Sequence, residues 1–218
     1  MSDDILQSGN AAIQSLQSMK DVFERIYAHD DWGHGSGEGS LALHVRPYVN
    51  FLQRFLRRKQ IASVVDFGCG DWQFSQAIRW GDIEYRGYDI VPAVVAANRR
   101  RFQRSRISFH EITDASALPG ADLLIVKDVL QHWSDESIAR FLPALSKYRW
   151  ALITNCVDPA GLTKNLPIAD GDFRYLDVRL APFDVHAIEV LSFSNYRPLL
   201  KRLSEKPRWV KKVLLVQS

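Results

Sequence analysis

Val64-Val65-Asp66-Phe67-Gly68-Cys69-Gly70-Asp71-Trp72 is the stretch on which the fold turns. A short β-branched run leads into two glycines separated by one residue. Glycine lets a backbone turn tightly and lets a ligand approach it closely. The stretch therefore reads as the end of a strand, Ala62 to Phe67, followed by a sharp turn, with a helix expected over Trp72 to Trp80. The next apolar run, Glu84 to Ile90, ends around Asp89, about 20 residues beyond the turn, where a carboxylate can accept both hydroxyls of a ribose.

Working outward, short apolar runs alternate with helical stretches. Ala93 to Arg104 reads as a helix, Ile107 to Ile112 as a strand, and Ala121 to Val126 as a strand with almost no polar face. Ser134 to Lys147 reads as a helix with Ser134 as N-cap and Asp135 and Glu136 in its first turn, where negative charge suits the dipole. Trp150 to Cys156 is another strand of buried character. Such alternation, with strands apolar on both sides, means a mostly parallel sheet covered by helices on both faces. The late strands Val185 to Phe193 and Val210 to Gln217, joined through a short helix over Tyr196 to Ser204, are expected to pair antiparallel at one edge and complete seven strands. Upstream, apolar residues at helical spacing (Ile13, Leu16, Met19, Val22, Phe23, Ile26) predict an amphipathic helix over Ala11 to Ala28. A second helix, about Leu41 to Arg58, is bent or delayed by Pro47. The expected organisation is one α/β domain. Residues 1–58 form a helical cover with a glycine-rich loop, 59–157 the ligand-binding core, and 158–218 an irregular insertion followed by the edge strands.

The totals agree with one ordinary globular domain. The chain has 218 residues, 46% hydrophobic and 24% charged, with a formal net charge of +3, too small to announce a nucleic-acid binder. Cys69 and Cys156 are not in a metal-ligand spacing, and no metal site is expected. Met1 to Asn10 lacks an apolar h-region, and no run of about 18 apolar residues exists, so a cytoplasmic protein without a membrane span is expected.

The turn does not suit NAD. Gln73 stands where G-x-G-x-x-G needs its third glycine, and a pyrophosphate would sit badly beside Asp66 and Asp71, which suit a ligand carrying an ammonium and a sulfonium. Asp66-Phe67-Gly68-Cys69-Gly70 followed by Gly87-Tyr88-Asp89-Ile90 resembles the class I S-adenosylmethionine-dependent methyltransferases, with a Rossmann-like sheet, over about Ala62 to Cys156. The resemblance implies S-adenosyl-L-methionine as cofactor, with Gly68, Cys69 and Gly70 against its methionine part. It implies Asp89 on the ribose, Ile90 on the adenine, and Glu111-Ile112 at the adenine edge, where the family often has an aspartate. It places Lys127 and Asp128 beside the methionine end. Asp71 stands where many members have another residue before a glycine, and Trp72 replaces that glycine, which would make the pocket wall bulkier.

Methyl transfer from a sulfonium is a direct displacement, in which alignment supplies much of the rate and a hydroxyl acceptor also needs a base. His132, just past the fourth strand, has a near-neutral unperturbed pKa and is the candidate base; a histidine supporting the next helix is the competing assignment. Asp128 is a second candidate, as an orienting group. Lys127-Asp128-Val129-Leu130 lacks the Asn/Asp-Pro-Pro-Tyr pattern of exocyclic amine methyltransferases, and no cysteine is placed for cytosine C5 chemistry. The loop Trp32 to Ser40, with Trp32 and His34 as contacts, is expected to be a lid rather than a plain linker. The acceptor pocket is expected from this loop, from Asp128 to Trp133, and from Asp158 to Asp184, where Asp170, Asp172, Arg174, Tyr175 and Asp177 offer polar contacts. The leading expectation is a methyltransferase for a small molecule, at oxygen or nitrogen. The alternatives are an RNA-modifying methyltransferase, which the basic runs Arg99-Arg100-Arg101 with Arg104 and Arg106, and Lys201-Arg202 with Lys206, Arg208, Lys211 and Lys212, would serve, and a non-catalytic cofactor-binding module.

Overall fold

A computed structural model describes residues 19–33, 35–195 and 209–217. Seven strands form one sheet: β1 (Ser63–Phe67), β2 (Glu84–Asp89), β3 (Ile107–Glu111), β4 (Ala121–Lys127), β5 (Tyr148–Val157), β6 (Ile188–Ser194) and β7 (Val210–Gln217), in the order β3-β2-β1-β4-β5-β7-β6. The five strands from β3 to β5 are parallel, and β7 lies antiparallel between β5 and β6. This is the mostly parallel sheet with an antiparallel edge that the alternating pattern predicts. Strand order reverses between β1 and β4, and the crevice beyond the carboxyl ends of strands at such a reversal is where open α/β sheets bind ligands.

Helices cover both faces. Residues 19–29 are helical and are called α1 here; α2 is Ala42–Arg58, α3 Pro92–Phe102 and α4 Asp135–Phe141. One face buries Tyr48, Leu52 and Leu56 of α2 against Val64, Tyr85, Leu123, Ile125, Leu152 and Val213. The other buries Met19, Phe23 and Ile26 of α1 with Ile138 and Phe141 of α4 against Val65, Leu124, Val126 and Ile153. Both cores are continuous across the strands, as burial on two faces requires.

Several local expectations are corrected. Pro47 lies within α2 without delaying its start. Residues 72–80 form no α-helix, only a 3-10 turn at Ser75–Ala77. Trp72 sits in the left-handed region, Trp80 Nε1 donates to the Ser75 carbonyl (2.9 Å), and Trp72, Phe74, Ile78 and Trp80 are all buried as a compact turn. Trp72 does not thicken the pocket wall: its indole points into the core against Phe102, Phe109 and Tyr85. The helix expected to reach Lys147 leaves α geometry after Phe141 and continues as a 3-10 turn, Leu142–Lys147, because Pro143 lacks the N–H the helix needs. Its N-terminus is as expected, with Ser134 Oγ accepting from Ser137 N (3.2 Å). The expectations for Ala11 to Ser18, His34, Tyr196 to Ser204, Lys201, Arg202, Lys206 and Arg208 lie outside the described residues.

No described helix is long and apolar enough to cross a membrane.

Candidate active site

Beyond the ends of β1, β2 and β4 opens a cavity with about 1320 Å³ of empty space, including its mouth. Gly68, Cys69, Gly70, Asp71, Asp89, Ile90, Ile112, Lys127, Asp128 and His132 all line it. Two expected residues do not. Asp66 is 1% exposed and lies behind the wall, accepting from Tyr85 Oη (2.6 Å) and Ser75 Oγ (3.5 Å). Its place on β1 turns it toward α2, away from the crevice. Glu111 is exposed, and the rim beside Ile112 is formed instead by Thr113, Asp114 and Ala115. Asp114 accepts from Ser116 N (2.8 Å) and Ser116 Oγ (2.5 Å), and these bonds hold its carboxyl below the usual range.

The glycine turn is a cradle with no room for side chains. Gly68 (φ 70°) and Gly70 (φ 53°) are left-handed. A Cβ on Gly68 would collide with Val129, and one on Gly70 with Ser36 Oγ. Asp89 fixes the turn: one carboxylate oxygen accepts from Gly70 N (2.9 Å), the other from Val91 N (3.0 Å). Burial raises its pKa, against the pull of those N–H groups. Each oxygen keeps a further lone pair for a ligand hydroxyl. Asp71 accepts on Oδ2 from Gln73 Nε2 (2.6 Å) and Ser36 N (3.4 Å), while its buried Oδ1 has no partner among the described residues. Asp128, left-handed at φ 61°, receives Lys127 Nζ and Lys211 Nζ on Oδ2 (2.5 Å each), and its Oδ1 likewise has no partner among the described residues. The two lysines hold the Asp128 carboxyl down at about 2 despite burial. Such a group stays ionised and does not serve as a base near neutrality.

The residue chemistry fits S-adenosylmethionine. A cradle free of Cβ atoms, a carboxylate with ribose-ready lone pairs, and two orphaned carboxylate oxygens (Asp71 Oδ1, Asp128 Oδ1) flank the place where a cationic ligand would lie. Asp89→Ala is expected to weaken S-adenosylhomocysteine binding about tenfold to a hundredfold, the loss of charge-assisted bonds worth about 1.5–3 kcal/mol. Calorimetry on the folded variant checks this; an unchanged dissociation constant would place the ribose elsewhere.

His132 stands on the opposite wall. Its Nδ1 lies 2.9 Å from the Asp172 carbonyl, which only accepts, so Nδ1 carries the proton and Nε2 keeps its lone pair. Gln131 Nε2 is 3.3 Å from that nitrogen, and the amide is oriented by Cys156 N donating to Gln131 Oε1 (2.7 Å). Desolvation lowers the His132 pKa and favours the neutral ring. Trp32 packs on it at 5.0 Å between centroids, and Phe173 at 5.8 Å. The remaining wall is largely apolar: Met19, Phe23, Phe67, Phe74, Trp133 and Phe141.

The loop from Trp32 to Ser40 lies over this cavity. Ser36 Oγ accepts from Asp71 N (3.0 Å) and bonds Tyr27 Oη (3.0 Å), and the Gly39 carbonyl accepts from Lys127 Nζ (3.4 Å). Residues 158–184, by contrast, contribute nothing to the cavity wall. Asp170, Arg174 and Asp177 are engaged in holding the segment. Asp170 accepts from Ser134 N (2.7 Å) and Ser137 Oγ (3.0 Å), Arg174 is buried against Asp135 and the carbonyls of Leu166 and Trp133, and Asp177 pairs with Arg179. The segment buttresses His132 through Gly171 N to the His132 carbonyl (2.8 Å).

The first basic run is tied to its own surroundings. Arg99 Nε donates to the Phe109 carbonyl, Arg101 and Arg104 lie over Phe102 and Trp72, and Arg106 faces Asp82. Cys69 and Cys156 are buried free thiols pushed above their usual pKa by desolvation, Cys156 to about 11, which suits filler rather than nucleophile. Tyr27, Ser36, Phe74, Asp114 and Arg140 also line the cavity, and Lys211 stands behind Asp128; none of the six belongs to a sequence motif for the site.

An O-methyltransferase domain family matches residues 48–154, just under half of the chain. No curated protein matches the sequence significantly. Among solved structures, the chain is similar to TehB from Haemophilus influenzae (14% identity, 78% of this chain and 62% of that one, TM-score 0.55). It is similar to magnesium protoporphyrin IX methyltransferase from Synechocystis PCC 6803, solved with SAH (19%, 78% and 82%, 0.52). It is also similar to human N-acetylserotonin methyltransferase, solved with SAM (16%, 78% and 55%, 0.50). At these identities the likeness is one of fold.

Proposed function

We infer that this chain, a class I S-adenosylmethionine-dependent methyltransferase, methylates a small, largely apolar molecule at oxygen or nitrogen. The observation that carries this is a single cavity with the glycine cradle and Asp89 on one side and an aromatic wall holding His132 on the other. S-adenosylmethionine supplies an activated methyl group on a sulfonium. The protein's task is then to bind, align and exclude water. Asp89 and the Gly68–Gly70 turn hold the ribose side, with Ile90 and Ile112 as apolar contacts for the base and Asp114 at its edge. Asp71 and Asp128 face the cationic part. Trp32, Phe23 and Trp133 wall in the acceptor, the loop over Gly70 shuts out solvent, and His132 Nε2 takes the proton of a hydroxyl.

Calorimetry tests the cofactor half of this reading. Micromolar binding of S-adenosylmethionine and S-adenosylhomocysteine is expected, with poor binding of NAD, whose pyrophosphate would face Asp71, Asp89 and Asp128. Tight NAD binding without response to S-adenosylmethionine would sink it. Transfer of labelled methyl from S-adenosylmethionine to a panel of small hydroxyl and amine acceptors, against structured RNA, tests the acceptor half. Label entering only RNA would replace the small-molecule assignment.

A further inference from the structure

We propose that Gln131 is a positioning residue for His132: its side-chain amide occupies the Nε2 lone pair until an acceptor hydroxyl displaces it, and expels the proton from Nε2 once the product has left. The proposal rests on the reading of His132 as a base given above. Gln131 lies in the same turn after β4 and is 4% exposed. It is not part of the cavity wall, so it acts through its neighbour.

Main-chain groups at both ends fix the direction of the hydrogen bonds through this pair. Cys156 N, on β5, can only donate, so the amide turns its Oε1 toward it (2.7 Å). The NH₂ end, which has donors only, then faces His132, 3.3 Å from Nε2. On the other side of the ring the Asp172 carbonyl can only accept, so Nδ1 carries the proton (2.9 Å). Every bond runs one way, from Cys156 through Gln131 and His132 to Asp172. The backbone of both residues is held from the same segment: Arg174 N donates to the Gln131 carbonyl (3.1 Å) and Gly171 N to the His132 carbonyl (2.8 Å).

A proton on Nε2 breaks this order. An N–H then faces the NH₂ of Gln131, and turning the amide over sets the NH₂ against Cys156 N instead. Either way a buried donor loses its acceptor, which is costly. The relay therefore favours the neutral ring. The other groups that face the ring are divided. Asp128, at the end of β4, and the Asp172 carbonyl favour the charged form, Lys211 from β7 opposes it, and Trp32 and Phe173 carry no charge. The pull of Asp128 is already shared between two lysines. A hydroxyl that takes the amide's place donates to Nε2 and passes its proton there. A methylated oxygen has no O–H left, so when product leaves, the returning amide meets Nε2–H and the proton goes to solvent. The ring is thereby reset for the next acceptor.

Nitrogen NMR of the full chain, labelled in histidine, reads these protons directly and needs neither acceptor nor turnover. The His132 signals are assigned by their loss in His132→Ala. In the parent the ring is expected to be neutral at pH 7, with its proton on Nδ1, and to titrate below the ordinary 6.5. Gln131→Glu keeps an acceptor for Cys156 N and offers a second one to Nε2–H. Its His132 should titrate about 1–3 pH units above the parent's, the effect of an adjacent opposite charge. Gln131→Met, of similar length but without the donor, should fall between the two. A parent ring that is protonated at pH 7, or neutral with its proton on Nε2, would overturn the proposal, and that result depends on no variant folding. An unchanged His132 titration in folded Gln131→Glu would overturn it as well. Absence of S-adenosylhomocysteine binding in the parent, read by calorimetry, would instead overturn the methyltransferase reading itself, a separate result.

Discussion

His132→Ala is expected to slow methyl transfer to a hydroxyl acceptor by about 10²- to 10⁴-fold while leaving cofactor affinity nearly intact, the range a positioned general base supplies. The structure gives the ring what a base needs. The Asp172 carbonyl fixes the proton on Nδ1, so the lone pair is on Nε2, where the Gln131 amide donates at 3.3 Å and the acceptor hydroxyl takes its place, and the ring lines the cavity. Burial lowers its pKa below the ordinary 6.5, so at neutrality the ring is in its proton-accepting form. The sign of the pH profile follows. kcat/KM should climb with pH through a limb lying below 6.5 and be flat above neutrality, and the limb should vanish in the variant. His132→Gln should not rescue the rate, because an amide takes no proton, although it can refill part of the space beside Trp32. Alanine also removes a packing partner of Trp32 and Phe173, so KM is expected to rise somewhat. The split matters: a rise in KM with kcat and the acid limb preserved would make His132 a wall residue only.

Much of this site was legible because its signals are local. The β1 turn needs glycine for backbone reasons alone, and Asp89 follows at the end of the next strand, one short connection on. The inner strands β4 and β5 announced themselves by being apolar on both faces. What stayed hidden depends on contacts between distant segments. Trp72 beside a glycine turn reads as pocket wall, and only the packing of Phe102 and Phe109 shows that it faces inward. The insertion's Asp170, Arg174 and Asp177 look available to a substrate until their partners at Ser134, Asp135 and Arg179 are in place. At the base edge, Glu111 is the last residue of β3 and faces solvent, so the rim falls to Asp114, three residues on. Lys211 was least visible: in sequence it is one cation among several, and its burial follows from β7 inserting between β5 and β6 instead of lying at the edge.

Asp66→Asn is expected to stabilise the protein at neutral pH by up to about 3 kcal/mol. Asp66 lies behind the cavity wall, and burial raises its pKa from 3.8 to about 6 even with Lys127 nearby and two hydroxyls donating to it. Between pH 4 and 6 the folded chain keeps a proton that the unfolded chain has released. By linkage, stability must then fall as pH rises through that window, and each pKa unit is about 1.4 kcal/mol. The whole cost is present above pH 7 and absent below about pH 3.8, where both states are protonated. Asparagine is neutral throughout and can still accept from Tyr85 and Ser75 through Oδ1. Urea unfolding of parent and variant from pH 4 to pH 8 should show a gap in favour of asparagine that opens with rising pH. A gap independent of pH, or a variant less stable than the parent at pH 8, would mean that Asp66 is ionised in the folded protein at no cost. A carboxylate kept at such a cost beside the glycine turn is the kind of perturbed group that gathers at functional sites. Its charge acts on Lys127, which stands in the cavity wall. The stabilised variant should for that reason bind S-adenosylhomocysteine less well than the parent, stability and ligand affinity moving in opposite directions at one residue.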